Sequence, residues 1–289
     1  PILTGWRQAS KMWKTVFLWI LAIILTVASA YYQRLTGPTY PIEESKTLGT
    51  TSFTYKLERS HSTSSDYLVT IPTNNPTLEG ILSWKRFKTN DDWNVVKMEY
   101  VAGNLTGVLP KQPSAGKLEY RVRLTYNNKE LALNNGESIV IRFKGDVPAW
   151  ILIPHIITIF LAMLFSLRTG FEAFRKNSRL KNKTAVTFVT LVIGGLIFGP
   201  LTQLYAFGAL WTGFPFGYDL TDNKTLIAFV FWLFALIAVI REKKERLFVG
   251  IAAVVTLVIF LIPHSLLGSE LDYNKLDREN NRIENIETK

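Results

Sequence analysis

The chain contains no cysteine, and this absence excludes several classes of site. Disulfides, thiolate metal ligands, cysteine nucleophiles and haem attached through cysteine are all ruled out. A domain of this protein that lies outside the cytoplasm must therefore be held together by its hydrophobic core alone, which a segment of about 110 residues can supply.

Acidic residues are fewer than basic ones, at 23 against 33, and the net charge is +10. No nucleic-acid-binding motif accompanies this excess, and residues 33–148 carry 15 basic residues beside 12 acidic ones. The rest of the excess lies in short loops next to apolar stretches, where retention of positive charge in the cytoplasm explains it. We therefore expect the lipid bilayer, and no nucleic acid, among the partners of this protein.

Long apolar stretches are the main feature that is present. Five of them lie at residues 16–32, 149–167, 184–205, 225–240 and 247–263. Each is close to the length that crosses about 30 Å of hydrocarbon as a helix. The short segments 168–183 and 241–246 are basic, whereas 208–223 has two acidic and no basic residues. This bias predicts a cytoplasmic N-terminus, with residues 33–148 and the C-terminus outside.

The segment between the first two stretches alternates apolar and polar residues with the period of β-strands. The apolar positions are Phe53, Tyr55, Leu57; Tyr67, Val69, Ile71; Val96, Met98, Tyr100; Leu118, Tyr120, Val122, Leu124; and Ile139, Ile141, Phe143. Asn-, Asp- and Gly-rich turns separate these runs. Seven or eight short strands at this spacing predict an immunoglobulin- or fibronectin-like sandwich, with Trp84 in its core and Tyr120 as a tyrosine corner.

The predicted fold is thus a membrane α-helical bundle of five transmembrane helices with an inserted all-β immunoglobulin/fibronectin-like sandwich domain. We divide the chain into a cytoplasmic N-terminus with the first span (1–32), the sandwich (33–147), a four-helix transmembrane domain (148–264) and an extracytoplasmic charged tail (265–289). Residues 271–289 of this tail have little apolar content and are expected to be mobile.

Two histidines follow the same three residues, Leu-Ile-Pro, at His155 and His264. The first begins a span that runs inward and the second ends a span that runs outward, so both are expected near the outer membrane surface. A histidine at this depth is either an ordinary interfacial residue or part of a site.

The loop WTGFPFGYDLTDNK at residues 211–224 supplies further polar groups near the same surface. The candidate polar site consists of His155, His264, Asp219, Asp222, Asn223, Lys224, Trp211 and Gln203. One interpretation is structural, with interfacial aromatics and a capped helix. In the other, His155, His264, Asp219 and Asp222 bind a divalent metal such as Zn²⁺, or the two histidines ligate haem. Separately, Gly195 and Gly199 form a small-xxx-small pattern that is typical of helix packing.

Three segments resemble a group of uncharacterised bacterial polytopic membrane proteins with an extracytoplasmic immunoglobulin/fibronectin-like sandwich. They are KGDVPAW at 144–150, the loop at 211–224, and PHS with GSELD at 263–272. The resemblance implies a location in the bacterial cytoplasmic (inner) membrane with the sandwich outside, and it implies no particular activity.

Two classes of function remain open. The first is a membrane-anchored binding or accessory subunit, whose sandwich docks other membrane or periplasmic proteins. The second is a small membrane enzyme or cofactor carrier that uses His155, His264, Asp219 and Asp222. Transport is less favoured because the predicted spans contain almost no charged residues to line a pathway.

Overall fold

The computed structural model describes residues 2–175, 179–263, 266 and 268–287, and of these it describes side chains from residue 12 to residue 280. The chain divides into two compact units. The helical unit comprises Pro1–Pro38, Val147–Tyr205 and Ala209–Gly268. The sheet unit comprises Thr39–Asp146, Ala206–Gly208 and Ser269–Lys289.

The helical unit contains six α-helices in its described part. They are α1 (Ile2–Thr36), α2 (Ala149–Ala173), α3 (Lys181–Leu191), α4 (Gly199–Phe207, whose last two residues fall in the sheet unit), α5 (Leu220–Ile240) and α6 (Glu245–Leu261). A π-helical segment, Val192–Phe198, joins α3 to α4 without a break.

Four of these stretches are long and apolar enough to cross a membrane. They are Met12–Thr36, Ala149–Ala173, Lys181–Phe207 and Leu220–Ile240. Helix α6 contains most of the fifth predicted span, but it is only 17 residues long. Helix α2 is longer than predicted, because it continues past residue 167 to Ala173.

Small side chains allow the helices to pack closely around one large buried residue. Trp232 on α5 is fully buried, and its indole N–H donates to the hydroxyl of Thr256 on α6 at 2.9 Å. Ala235 on α5 and Ala252 on α6 are also fully buried in this core. Since lipid gives helices no hydrophobic reason to associate, such close packing and buried hydrogen bonds stabilise the bundle.

The sheet unit contains eleven strands and one further helix in its described part. The strands are β1 (Ile42–Leu48), β2 (Thr51–Leu57), β3 (Ser60–Ser62), β4 (Tyr67–Pro72), β5 (Glu79–Arg86), β6 (Asn94–Lys97), β7 (Glu99–Val101), β8 (Asn104–Leu109), β9 (Lys117–Tyr126), β10 (Lys129–Ala132) and β11 (Ile139–Lys144). A 3₁₀ turn, Leu133–Gly136, precedes β11, and helix α7 (Tyr273–Glu287) follows the helical unit.

The strands form three sheets around one core. The largest has the order β3-β11-β9-β5-β6, with β10 also paired to β9; the others are the hairpin β1-β2 and the sheet β4-β8-β7. Pairing is antiparallel except between β3 and β11. Inward residues of all three sheets belong to a single buried cluster, which includes Tyr55, Ile71 and Tyr120. The polar residues between them, such as Arg121 and Arg123 on β9, are exposed, as the alternation predicted.

Two details of this unit differ from the sequence-based expectation. The run containing Val96, Met98 and Tyr100 is two short strands in different sheets, and the buried Met98 lies where the chain changes sheet. The hydroxyl of Tyr120 donates to the carbonyl of Glu58 at 2.9 Å, 62 residues earlier in the chain. A tyrosine corner bonds to backbone only a few residues upstream, so this expectation was wrong.

The C-terminal segment is not a free tail in its described part. Helix α7 begins at Tyr273, whose side chain is 4% exposed and whose hydroxyl donates to Gln112 Oε1 at 3.0 Å. The backbone N–H of Lys117 donates in turn to the Tyr273 hydroxyl at 3.0 Å, and Glu270 forms an ion pair with Lys117 at 2.7 Å. The expectation of a mobile tail is therefore wrong for this part, because its few apolar and charged groups have partners on the sheets.

Candidate functional site

The buried carboxylate of Asp222 holds the loop that precedes α5. Its Oδ2 accepts hydrogen bonds from the backbone N–H groups of Thr212 at 2.6 Å and Gly213 at 3.0 Å, and from Nε2 of Gln203 at 3.0 Å. A carboxylate with several N–H donors is well satisfied in a buried position. Gln203 and Asp222 of the candidate polar site are therefore bonded to each other, and the described partners of Asp222 belong to the protein itself.

Asp219 and Asn223 fix the same loop from the first turn of α5. Asp219 is the N-cap of α5, and its side chain accepts from the backbone N–H of Thr221 at 2.8 Å, which supports the capping interpretation. Asn223 Oδ1 accepts from the N–H of Phe214 at 2.7 Å. The indole N–H of Trp211 donates to the Phe214 carbonyl at 3.0 Å. These bonds close the loop on itself.

Three aromatic side chains of this loop nevertheless point away from the protein. Phe214, Phe216 and Tyr218 are 66%, 82% and 93% exposed, respectively. Helix α5, which is long and apolar enough to cross a membrane, begins two residues after Tyr218. Aromatic residues are enriched where such helices meet the lipid headgroups.

The ammonium group of Lys224 caps the end of α6. Its Nζ donates to the carbonyls of Ile262 at 2.9 Å and Pro263 at 3.3 Å. Nε2 of Gln33 donates to the carbonyl of Ile262 at 3.1 Å and also to that of Phe260. The last carbonyls of a helix have no partner within the helix and carry partial negative charge, so a buried lysine and an amide are suitable donors there.

His155 lies beside the π-helical segment, and a contact with that segment shows that Nδ1 carries a hydrogen. Its Nδ1 is 2.9 Å from the carbonyl oxygen of Gly194. A carbonyl only accepts, so the Nδ1 of His155 carries a hydrogen, and in the neutral ring Nε2 keeps its lone pair. Within the part of the chain that the structure describes, Nε2 makes no hydrogen bond. His264 lies outside the described residues, and the predicted approach of the two histidines stays a prediction.

The predicted metal-binding group is not assembled by the described residues. Among them, no three His, Cys, Asp or Glu side chains are close enough to hold a metal ion. Oδ2 of Asp222 already accepts hydrogen bonds from Thr212, Gly213 and Gln203. Metal or haem ligation through His155 and His264 also stays a prediction.

The predicted packing glycines lie in the π-helical segment and directly after it. A Cβ atom at Gly195 would lie 2.7 Å from Cγ2 of Thr225 on α5, and one at Gly194 would lie 2.9 Å from the backbone nitrogen of Ile159 on α2. At Gly199 the nearest atom would be 3.4 Å away. Close helix approach within the bundle therefore uses Gly194 and Gly195 more than Gly199.

A buried ion pair on α2 was missed by sequence reasoning. Arg168 and Glu172 are 3% exposed, and Arg168 Nη2 lies 2.6 Å from Glu172 Oε1. Arg175 and Lys183 also lie within 3.1 and 3.8 Å of that carboxylate. The guanidinium group lies 5.3 Å from the ring centroid of Trp19 on α1. The four-residue spacing of Arg168 and Glu172 was a usable signal, but the predicted span ended at residue 167.

A cleft of about 370 Å³ on the sheet unit was also absent from the sequence-based expectation. It is lined by residues of β1, β2, β4 and β8 and by the turn after β2: Glu43, Thr54, Tyr55, Lys56, Glu58, Tyr67, Leu68, Thr70, Pro72 and Asn104. Two carboxylates, an ammonium group, hydroxyls, an amide and two apolar side chains thus line one opening. Lys56 and Glu58 of this lining form an ion pair at 2.6 Å.

Comparison with known proteins adds no relative to this description. No family model, curated protein or solved structure matches the chain.

Proposed function

We propose that this protein is a membrane-anchored binding or accessory subunit, in which the sheet unit engages a partner outside the cytoplasm. The proposal includes five membrane spans, with α6 as the fifth, and an immunoglobulin- or fibronectin-like sandwich. The observation that carries it is the open cleft on the sheet unit, which charged, hydroxyl and apolar side chains line together.

The membership of the sheet unit supports five spans. Three separate parts of the chain belong to it: residues 39–146, which follow α1 and precede α2; residues 206–208, which follow the α3–α4 stretch; and residues from 269 onward, which follow α6. Parts of one compact unit must lie on one side of a bilayer. Since α5 is long and apolar enough to cross, the chain returns to the same side after α6 only if α6 crosses as well.

Charge supports the orientation. The segments on the opposite side from the sheet unit are then residues 1–11, 174–180 and 241–244, and they contain most of the loop lysines and arginines of the helical unit. Positive residues are retained in the cytoplasm, so the sheet unit and the C-terminus are outside, in what we infer to be a bacterial cytoplasmic membrane.

The arrangement of the strands supports the sandwich. One large sheet and two smaller ones enclose a single core, and pairing is antiparallel apart from β3 with β11. Immunoglobulin- and fibronectin-like sandwiches likewise enclose one core between antiparallel sheets, although fold alone specifies no function.

The polar residues of the helical unit support binding over catalysis. Asp222, Asp219, Asn223 and Lys224 are hydrogen-bonded to backbone groups of the protein itself. Residues that cap helices and close loops stabilise the structure.

Site-specific photo-crosslinking in living cells tests this function. A photoreactive amino acid at Thr70 in the cleft should give a discrete adduct, while the same residue at Arg123 on the opposite sheet should not. Adducts at neither position, nor at other surface positions of the sheet unit, would reject a binding role for this unit.

A cofactor carrier is the second candidate, and the tautomer of His155 favours it. A histidine that donates Nδ1–H to a carbonyl presents Nε2 in the form that ligates metals. Elemental analysis and an optical spectrum of the purified protein test this directly. Stoichiometric metal, or a haem absorption band that His155→Ala abolishes, would support the second candidate; a protein without either would reject it.

A further inference from the structure

Three basic side chains share one carboxylate at the end of α2. Arg168 Nη2 lies 2.6 Å from Glu172 Oε1, and both side chains are buried. Two more exposed groups contact the same oxygen, Arg175 Nη1 at 3.1 Å and Lys183 Nζ at 3.8 Å. In the part of the chain that the structure describes, no second carboxylate lies within 4.0 Å of Arg175 or Lys183. Because the buried pair is neutral by itself, Arg175 and Lys183 leave an excess of two positive charges.

Arg246 on α6 brings a fourth cation to the same place. Its Nη1 donates to the carbonyl of Ala173 at 3.1 Å and also to that of Arg175. Nη1 of Arg175 also donates to the hydroxyl of Thr15 on α1 at 3.4 Å. Groups from α1, α2, α3 and α6 therefore hold these side chains in position. We call Arg168, Glu172, Arg175, Lys183 and Arg246 the basic cluster.

The basic cluster lies at the depth of the lipid headgroups. Helix α2 has 25 residues and is about 37 Å long at 1.5 Å per residue, whereas the hydrocarbon is about 30 Å thick. Arg168 and Glu172 are the charged residues of α2, and charge is costly in hydrocarbon. The end of α2 that carries them is therefore the end that extends into the headgroup region.

Exposed apolar side chains adjoin the cations of the cluster. Phe174, next to Arg175 in the chain, is 79% exposed, and Leu247, next to Arg246, is 56% exposed. A ligand with an anionic group and an apolar chain can contact both kinds of side chain at once. A phospholipid has this combination, whereas a dissolved inorganic anion has only the charge.

The charge of the whole chain is concentrated on the same side. Residues 1–14, 168–183 and 241–246, which the proposed function places in the cytoplasm, contain 13 basic and 3 acidic residues. The rest of the chain contains 20 of each, so these three segments account for the entire net charge of +10. The cytoplasmic leaflet carries anionic lipids, and basic pockets between membrane helices on that side bind their headgroups.

We propose that the basic cluster binds the phosphate group of an anionic phospholipid in the cytoplasmic leaflet, with Arg175 and Lys183 as the direct contacts. The choice of leaflet rests on the orientation in the proposed function. The guanidinium group of Arg175 offers paired N–H donors to phosphate oxygens, and the ammonium group of Lys183 adds a compact charge. Arg168 neutralises Glu172, so this carboxylate does not repel the phosphate.

Native mass spectrometry of the full chain, released from detergent micelles, tests the proposal. The probe is dioctanoyl phosphatidylglycerol, and the comparison is dioctanoyl phosphatidylcholine, whose headgroup has no net charge. We expect one phosphatidylglycerol per chain, bound about ten-fold or more tightly than phosphatidylcholine. Inorganic phosphate at the same concentration should not displace it, because the ion lacks acyl chains.

Removal of charge inside and outside the cluster provides the second arm. Arg175→Gln combined with Lys183→Gln should weaken phosphatidylglycerol binding about ten-fold or more, since two charge-assisted contacts are lost. The matched control combines Arg241→Gln with Lys243→Gln, which removes the same two charges from exposed positions of the α5–α6 turn. The control should stay within about two-fold of the parent, because exposed charges at a distance are screened. The comparison of the two lipids on the unchanged protein is independent of how stable the variants are.

Three results would overturn the inference: the two lipids bind equally, inorganic phosphate displaces the lipid, or the control weakens binding as much as the cluster variant. The proposed function fails separately. Absence of photo-crosslinks from the sheet unit would reject its binding role, while selective lipid binding by the purified chain would still stand.

The leaflet has its own readout. A cysteine at position 243 that is labelled from outside the cell would put the basic cluster in the outer leaflet and overturn that part of the inference.

Discussion

The guanidinium group of Arg86 forms two hydrogen bonds with the carboxylate of Asp277, at 2.8 and 2.9 Å, across 191 residues of chain. The same group also bonds to Asp91 at 2.6 and 3.0 Å, and it lies 5.1 Å from the ring centroid of Tyr273. Paired hydrogen bonds between arginine and carboxylate fix both distance and orientation. The start of α7 is therefore attached to the end of β5 by charge and by aromatic packing together.

This attachment predicts that the C-terminal segment stabilises the sheet unit. Residues 39–146 joined to 269–287 through a flexible linker should be more stable to urea than residues 39–146 alone. Tyr273→Ala in the linked protein should remove about 3 kcal/mol of unfolding free energy, because it deletes a buried aromatic side chain. Lys275→Ala, at an exposed position of α7, is the control and should change little. Equal stability of the linked and unlinked proteins would contradict the prediction.

The attachment should also depend on pH in a defined direction. Hydrogen bonds from Arg86 hold the pKa of Asp277 and of Asp91 below the ordinary value of 3.8. A carboxylate whose folded pKa is lowered contributes stability above its unfolded pKa, and this is lost as the pH falls through the folded value. Hydrogen exchange of residues 273–280 should stay slow from about pH 8 to about pH 5 and the segment should loosen as the pH falls below 3.8. Faster local opening of residues 273–280 between about pH 8 and about pH 5 would contradict this mechanism.

Asp222 is predicted to act as a structural acceptor. Asp222→Ala leaves the buried N–H groups of Thr212 and Gly213 without their acceptor and should cost about 3 kcal/mol of unfolding free energy. Asp219→Ala removes the N-cap of α5 and should cost about 1 kcal/mol. Unfolding by SDS in mixed micelles measures both. Adding a chelator should change neither value, and a loss of stability on metal removal would favour metal ligation instead.

The buried pair on α2 should show strong coupling. Arg168→Leu leaves Glu172 with less compensation in a low-dielectric environment and should cost about 3 kcal/mol. Replacing both residues by leucine should cost less than the sum of the single changes, with a coupling energy of about 1 kcal/mol or more. Arg241→Leu, at an exposed position, should stay within about 0.5 kcal/mol of the parent. Additive single and double changes would argue against the pair.

The sequence predicted elements well where one period repeats, and poorly where distant residues decide. Alternation located β2, β4, β9 and β11, and hydropathy located four spans. The hydropathy pattern ended the second predicted span at residue 167, because charged residues are costly in lipid. Arg168 and Glu172 offset that cost through each other, and α2 continues. The charged composition after residue 270 predicted a mobile tail. Local composition could not reveal the partners of Tyr273 and Asp277, because they lie more than 150 residues away in sequence.

The candidate site shows the same limit at shorter range. Sequence reasoning grouped Gln203, Trp211, Asp219 and Asp222 as one candidate polar site of the helical unit. Their roles depend on which backbone N–H groups the loop turns toward them, and neither periodicity nor composition contains that information. The sequence did not predict the cleft for a related reason: the cleft exists only because β2 and β4 are neighbours that do not pair.

Single-cysteine labelling of intact cells tests the five-span arrangement most directly, since the natural chain has no cysteine to interfere. Cysteine is introduced at Tyr218, Lys275 or Lys243, which are all exposed, and a membrane-impermeant maleimide is added. We predict that positions 218 and 275 are labelled in intact cells and that position 243 is labelled only after lysis. Labelling of position 243 from outside, or protection of position 275, would contradict the account.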